Sequence, residues 1–285
     1  MITINNYKQL AVSTTASSSM SATPSPPDAA EPLLRSERIG AVLHLRLNRP
    51  LKRNAVNDGL IQAIDQAFTA IPSDVRCIVL SGEGQHFCAG LDLSELSERT
   101  VYEGVLHSRM WHATLEKVQY APVPVVAVLH GATIGGGLEI AAAAHIRVAE
   151  RSAYYGLPEG QRGIFVGGGG SMRLPRLIGT SRMSDMMLTG RVFDAEEGQQ
   201  AGLTNYLVDP GAGLSKGMAL ADKICGNAPL SNFAVIQALP RIAELPPSEG
   251  LFVESLVAAI AQGDPTAKER IRAFLGGRAS KVAKS

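Results

Sequence analysis

Cysteines, aromatic residues and blocks of like charge are scarce in this chain, and each scarcity removes a class of protein. The 285 residues hold three cysteines, Cys77, Cys88 and Cys225. An odd number, widely spaced in apolar surroundings, suits neither a disulfide framework nor a zinc site and fits a reducing, cytoplasmic setting. The six histidines show no metal-ligand spacing. His107 and His112 have no carboxylate at the offset a zinc motif needs, so no metal is expected. Lysine and arginine number 27 against 26 acidic residues, a net charge of +1. Without a basic run, neither nucleic acid nor an anionic membrane is expected as the main partner. A basic pocket for a phosphate-bearing ligand stays open, because a pocket is local and net charge is not. No apolar run is long enough to cross a membrane. The best candidate, residues 122–149, is interrupted by His130, Gly135-Gly136-Gly137, Glu139 and His145, and reads instead as buried strand, turn and buried helix.

Arginine is missing from the first 34 residues. That argues against a transit peptide for residues 1–32, whose Ser, Thr, Ala and Pro content cannot bury enough apolar surface to offset ordering entropy. We read residues 1–32 as a disordered tail whose removal leaves activity and assembly intact, with Met20 a second candidate start. Residues 33–209 read as an α/β core and residues 210–285 as a helical C-terminal region.

Within the core, Leu33-Leu34 and the alternating segment from Ala41 to Leu47 predict two strands joined through Ile39-Gly40. Asn57 can cap a helix running to about Ala70, with Leu60, Ile61, Ile64 and Phe68 on its buried side. Strands are expected at Cys77–Leu80, Val123–Leu129 and His145–Ala149, and a helix over Tyr102–Gln119. After Asp209 no strand is expected. The stripes Leu214/Met218/Ala221/Ile224/Cys225, Phe252/Leu256/Ala259/Ile260 and Ile271/Phe274/Leu275 predict three amphipathic helices. These can close the core or form a subunit interface.

Three segments can carry chemistry, each with a plainer alternative. Phe87-Cys88-Ala89-Gly90-Leu91-Asp92-Leu93 leaves a strand through a glycine and can present free N–H groups, or be an ordinary turn. In His130-Gly131-Ala132-Thr133-Ile134-Gly135-Gly136-Gly137-Leu138-Glu139 a strand meets a glycine cluster and then a helix. The unpaired N–H groups of a first helical turn suit a developing negative charge. Glu139, three residues past Gly136, shares its face, with the carboxylate leaning toward the helix N-terminus. The alternative is a tight-packing turn with a helix-start carboxylate. The cluster is neither a dinucleotide nor a P-loop motif. Leu157-Pro158-Glu159 ends the next strand, so a second carboxylate can converge on the first. Paired carboxylates in one cleft can divide into acid and base, whereas two surface glutamates would do nothing. The run Gly167-Gly168-Gly169-Gly170-Ser171, ahead of a helix over Met172–Ile178, can bind an anion or admit close packing, and packing is the favoured reading.

Together these segments resemble the crotonase (enoyl-CoA hydratase/isomerase) family over roughly Leu33 to Leu275. The matching stretches are Leu47-Asn48-Arg49-Pro50 with Asn54-Ala55, Cys88-Ala89-Gly90-Leu91-Asp92-Leu93, and Gly135-Gly136-Gly137-Leu138-Glu139-Ile140-Ala141. Leu157-Pro158-Glu159, Arg173-Leu174-Pro175-Arg176-Leu177-Ile178-Gly179 and Leu188-Thr189-Gly190-Arg191 follow in the family's order. The resemblance implies an α/β spiral of β-β-α units with a C-terminal helical trimerisation region, and a homotrimer or homohexamer. It places the N–H groups of Leu91 and Gly136 in an oxyanion hole and Glu139 and Glu159 at the hydratase acid–base positions. It also places the Ala89 backbone and Gly90 near the adenine, with Lys52 and Arg53 as phosphate contacts. No prosthetic group is implied, since coenzyme A arrives as part of the acyl-CoA substrate. The implied function is hydration of a 2-enoyl-CoA, as in fatty acid metabolism.

The chain departs from the family's habit at Ser94, where lysine is frequent, at His145, where aspartate is usual, and at Val166, where proline is usual. The stretch from Tyr154 to Val166 resembles (methylthio)acryloyl-CoA hydratases, and hydration joined to thioester hydrolysis is the alternative activity. Isomerases of the family generally keep only the second acid, so Glu139 argues for hydration. A non-catalytic CoA-binding or RNA-binding role is the rival of another class; the glutamate pair opposes the first and the missing basic clusters oppose the second. Trp111, Tyr120 and Phe165 are expected to cap a short acyl pocket, if they are not ordinary core aromatics.

Overall fold

A computed structural model of the chain describes residues 31–95 and 98–278. The expectations for the N-terminal tail fall almost wholly outside these residues. Strand β1 (Leu34–Ile39) and strand β2 (Val42–Leu47) form an antiparallel hairpin in which Leu34 faces Leu47 and Ile39 faces Val42. The turn needs Gly40, at φ +57°, a left-handed conformation that a side chain disfavours. Asn57 then caps helix α1 (Asp58–Thr69) by accepting the Leu60 N–H at 3.0 Å. Leu60, Ile61, Ile64 and Phe68 are its buried face, at the spacing of one helical side.

Strand β3 (Cys77–Gly82) runs parallel to β2. Helix α2 (Val101–Gln119) opens on a reciprocal Thr100–Glu103 capping box. It leads to strand β4 (Val125–Leu129), strand β5 (Ala132–Ile134) and helix α3 (Gly136–Ala143). Strand β6 (Ile146–Glu150) and strand β7 (Tyr154–Gly156) precede helices α4 (Gly170–Ile178), α5 (Thr180–Thr189) and α6 (Ala195–Ala201), and strand β8 (Tyr206–Val208). The main sheet has the order β1-β2-β3-β4-β6-β8, parallel except at the first hairpin. The unbroken apolar runs of β3 and β4 suit this arrangement, because a parallel sheet is covered on both faces.

A second, smaller ladder pairs β5 with β7, and Cys88 bridges to Thr133 beside it. The chain therefore repeats one unit: a long strand of the main sheet, a short strand of the second ladder, then a helix. The two units β4-β5-α3 and β6-β7-α4, with the Cys88 bridge that follows β3, bring Gly136, Glu159 and Leu91 to the side of the second ladder.

Two cores flank the main sheet. One gathers α1, α2, α3 and α4 around Leu45, Leu60, Phe87, Leu115, Leu129 and Leu138. The other packs Leu220 and Ala221 of helix α7 (Gly213–Cys225) against Val42, Cys77, Val79, Val126, Val128 and Val148. Thus the first predicted C-terminal stripe closes the core. Helices α8 (Pro229–Gln237), α9 (Leu239–Ile242), α10 (Pro247–Gly263) and α11 (Pro265–Leu275) follow. Phe252, Leu256, Ile260, Ile271, Phe274 and Leu275, from the other two stripes, are exposed in the single chain.

Candidate active site

The site is built where the second ladder meets the N-terminus of α3. Gly135 sits at φ +53° and donates its N–H to Gly156 of β7 at 2.9 Å, so the turn into α3 is tied to the strand leading to Glu159. The three glycines of this turn have separate tasks. A side chain on Gly135 would meet Glu159 Oε1 at 2.7 Å, and one on Gly136 would meet Trp111 Cη2 at 2.9 Å. One on Gly137 would overlap Cys88, so that residue lets α3 pack on the neighbouring segment.

Leu91 approaches from the other side. Its segment is laced to the first unit by Val56 N–H to Gly90 O at 2.7 Å and Asp92 N–H to Val56 O at 2.9 Å. Gly90 lies at φ +92°, and a Cβ there would meet Ile134 O at 2.8 Å. That closeness brings Leu91 N to within 3.7 Å of the Cβ position of Gly136. Among the described residues neither the Leu91 N–H nor the Gly136 N–H is taken by a loop or cap carbonyl. Two adjacent donors at one cavity wall, one of them in the first turn of a helix, suit an oxygen that gains negative charge.

Both glutamates are buried. Glu139 Oε1 accepts the N–H groups of Gly168 at 2.8 Å and Gly170 at 2.7 Å. The four-glycine run, expected to serve packing, therefore also holds an acidic group, the chain's own Glu139 carboxyl. Cβ atoms at Gly168 and Gly170 would lie 3.2 and 2.8 Å from that carboxyl, so close packing and holding that group are one requirement. Burial raises the Glu139 pKa, against the pull of the Gly170 and Gly168 N–H groups and the Arg173 charge. Glu159 starts a single helical turn, Gly160–Arg162. Gln161 pins that turn to the end of α5 by donating to Thr189 O at 3.2 Å. Glu159 Oε2 is buried without a protein partner. Its pKa is raised by burial, with the Glu139 charge adding to the rise.

Leu91, Gly136, Glu139 and Glu159 border one cavity of about 390 Å³. Trp111 of α2 lines it, as do Ile164, Phe165, Val166, Gly167 and Gly168. Tyr120 does not belong here: its ring lies 3.9 Å from the guanidinium of Arg241, which corrects the expectation that it caps the pocket. Gly104, His107, Ser108 and Trp111 recur at helical spacing along α2 and all reach the cavity. The sequence reading missed the first three, although their spacing was a usable signal. Ser108 Oγ donates to Gly167 O at 2.6 Å and so joins α2 to the glycine loop.

Lys52, Arg53, Ala89 and Gly90 lie outside the cavity wall. Ala89 donates its N–H to Arg53 O at 3.0 Å, and Lys52 Nζ donates to Ser94 Oγ at 3.1 Å. The basic turn thus runs alongside the segment that presents Leu91, and Ala89 has only its carbonyl to offer a ligand. Among the described residues no group of three or more His, Cys, Asp or Glu is placed to share a metal ion. Likewise, no described helix is long and apolar enough to cross a membrane.

The chain belongs to the enoyl-CoA hydratase/isomerase family, whose model matches residues 37–279. It is 32% identical over 248 residues to an enoyl-CoA hydratase of Mycobacterium tuberculosis, covering 85% of this chain and 93% of that protein. It is 34% identical over 250 residues to human mitochondrial methylglutaconyl-CoA hydratase, covering 85% and 72% of the two chains. A Rhodopseudomonas palustris crystal structure, provisionally described as an enoyl-CoA hydratase, superposes with a TM-score of 0.85 at 57% identity, covering 89% of this chain and 98% of that one. The fold is thus the α/β crotonase fold expected from the motifs, and the chain is an enzyme of that family.

Proposed function

We propose that the chain adds water across the C=C bond of a short 2-enoyl-CoA thioester. The observation that carries this reading is the meeting of two buried carboxylates and two free backbone donors on one cavity. Hydration needs water to lose a proton as it attacks Cβ and Cα to gain one as the enolate collapses. Between those events the negative charge rests on the thioester oxygen, which the Leu91 and Gly136 N–H groups stabilise. Losing one such donor would cost about 3 kcal/mol. Glu139 orients and deprotonates the water, and Glu159 delivers the proton to Cα. Burial raises the pKa of both carboxyls, the Glu139 charge adds to the rise at Glu159, and the Gly170 and Gly168 N–H bonds oppose the rise at Glu139.

Coenzyme A comes with the substrate and leaves with the product, so the reaction needs no prosthetic group. In this reading Lys52 and Arg53 meet its phosphates, and the Ala89 carbonyl and Gly90 lie against the adenine. Trp111, Phe165 and Val166 limit the acyl chain, which favours crotonyl- or (methylthio)acryloyl-CoA over long chains. Subunits associate through the C-terminal helices as a trimer or a pair of trimers, and the protein works in the cytoplasm.

The test is loss of the enoyl absorbance of crotonyl-CoA with free thiol followed in parallel. Hydration without thiol release is the expected result. Thiol release at the same rate would make the enzyme a hydrolase as well, and neither change would end the hydratase reading.

A further inference from the structure

The four-glycine loop that holds Glu139 presents a physical problem. Residues 167–170 have no side chains to fix them, and glycine loses more conformational freedom on ordering than any other residue. Yet the N–H groups of Gly168 and Gly170 must both point at one carboxylate oxygen. The peptide between those two donors, linking Gly168 to Gly169, carries the Gly168 carbonyl. Arg173, one turn into α4, donates from Nη1 to that carbonyl at 3.0 Å. The guanidinium also packs against Gly169, at φ +92°, where any Cβ would collide with it. Clamping the middle peptide fixes the orientation of both flanking ones.

The clamp is itself held. Arg173 Nε donates to Gln119 Oε1 at 2.6 Å, at the end of α2. Gln119 O in turn accepts from His145 Nε2 at 2.9 Å. Arg173 is half-buried, and burial lowers its pKa while the Glu139 charge raises it. The attraction is mutual, since Arg173 is among the influences that favour the charged form of Glu139. The other charged or titratable groups around the pair are Glu159 and Arg162 on the facing loop, Glu116, Tyr120 and His112 on or beside α2, and Arg176 on α4.

We propose that Arg173, held by Gln119, is the positioning residue that fixes the glycine loop on Glu139 and so orients that carboxylate to receive a proton from water. This rests on the hydratase reading above. It assigns a reaction role to residues that touch no substrate.

The test compares Arg173→Met, Arg173→Lys and Gln119→Leu with the full-length enzyme. Arg173→Met should move the acid limb of the hydration pH profile up by about one unit, so that hydration below that limb falls about tenfold. Raising the pH should restore the rate, because it re-ionises Glu139. Arg173→Lys should restore most of the loss, and Gln119→Leu should shift the limb the same way by less. Exchange of the α-proton of butyryl-CoA with deuterated water, which does not need water activation, should be unchanged in all three. The same shift should appear without turnover in a ¹³C-glutamate NMR titration, with the Glu139 signal assigned by its loss in Glu139→Gln. A wild-type pH limb in both Arg173→Met and Gln119→Leu would overturn the proposal. Equal loss of hydration and exchange at every pH in folded Gln119→Leu would also overturn it, by reducing the pair to scaffolding. If the wild-type enzyme hydrates nothing, the function reading fails, and the NMR titration still decides whether Arg173 acts on the Glu139 carboxyl.

Discussion

At the scale of single residues, the proposed division of labour between Glu139 and Glu159 rests on what each oxygen touches. Glu139 has two N–H donors on Oε1, which tether it and oppose the rise that burial gives its pKa. Glu159 Oε2 is buried with no protein partner, which favours the neutral, proton-bearing form. A tethered carboxylate suits orienting water, and an untethered one suits delivering a proton to carbon. Each loss should lower hydration by about 10²-fold or more. The two should differ when a saturated acyl-CoA exchanges its α-proton with deuterated water, a step without water addition. Glu159→Gln should abolish both hydration and exchange, whereas Glu139→Gln should lose hydration and keep measurable exchange. The opposite pattern would reverse the roles, and full hydration in both variants would make the pair structural. The convergence of these residues was only partly legible in the sequence. Gly136 and Glu139 share one helical turn, so their common face follows from local geometry. The partnership of Glu139 with Gly168 and Gly170 spans 29 and 31 residues, and no local pattern records it.

At the scale of elements, legibility tracked length and periodicity. Helix α1 was readable because Asn57 supplies a cap and its apolar residues recur on one face. Strands β3 and β4 were readable as unbroken apolar runs. Strands β5 and β7 have three residues each, too few for a period, so the second ladder was not foreseen as a separate sheet. Tyr120 was misplaced for a related reason: it ends α2, and only the packing of α8 and α9 decides that Arg241 covers its ring. His145 shows how such junctions are fixed. Its Nδ1 accepts the Val125 N–H at 2.9 Å, so Nε2 carries the proton that goes to Gln119 O. One neutral imidazole thereby joins the end of α2, the start of β4 and the approach to β6. Burial pushes its pKa down to about 4. In the unfolded chain the group titrates near pH 6.5, so between those values the unfolded state binds a proton that the folded state refuses. The contribution of His145 is therefore complete above about pH 6.5 and is lost as the pH falls toward 4, by at most about 3 kcal/mol. Urea unfolding from pH 7 to pH 4 should show this slope, and His145→Asn should flatten it. An unchanged slope in the variant would assign the acid sensitivity to other groups.

At the scale of the molecule, the C-terminal helices separate into two kinds. Helix α7 covers the main sheet, and its apolar stripe is spent on Val79, Val126 and Val128. Helix α10 has little to cover. Phe252, Leu256 and Ile260 recur every four residues along it and are 66%, 49% and 60% exposed. On α11, Ile271, Phe274 and Leu275 extend the apolar surface. A run of large apolar side chains on consecutive turns is larger than a monomer ordinarily leaves in water. Their spacing gives the face a direction along the helix, which suits ridge-and-groove packing with another helix. A second copy of this chain is the partner expected from the family's habit, and such a contact makes assembly separable from chemistry. The cavity with Glu139 and Glu159 is lined by residues 91–168 and includes none of α10 or α11. The double variant Phe252→Asp, Ile260→Asp should therefore turn a trimer or hexamer of 30.1 kDa chains into monomers, read by analytical ultracentrifugation. Its far-ultraviolet circular dichroism should be retained. Any fall in crotonyl-CoA hydration should follow the loss of assembly and be partly recovered at high protein concentration. A variant that still sediments as the wild-type oligomer would place the interface elsewhere. A wild-type protein that sediments as a monomer would leave the exposed face of α10 to another partner.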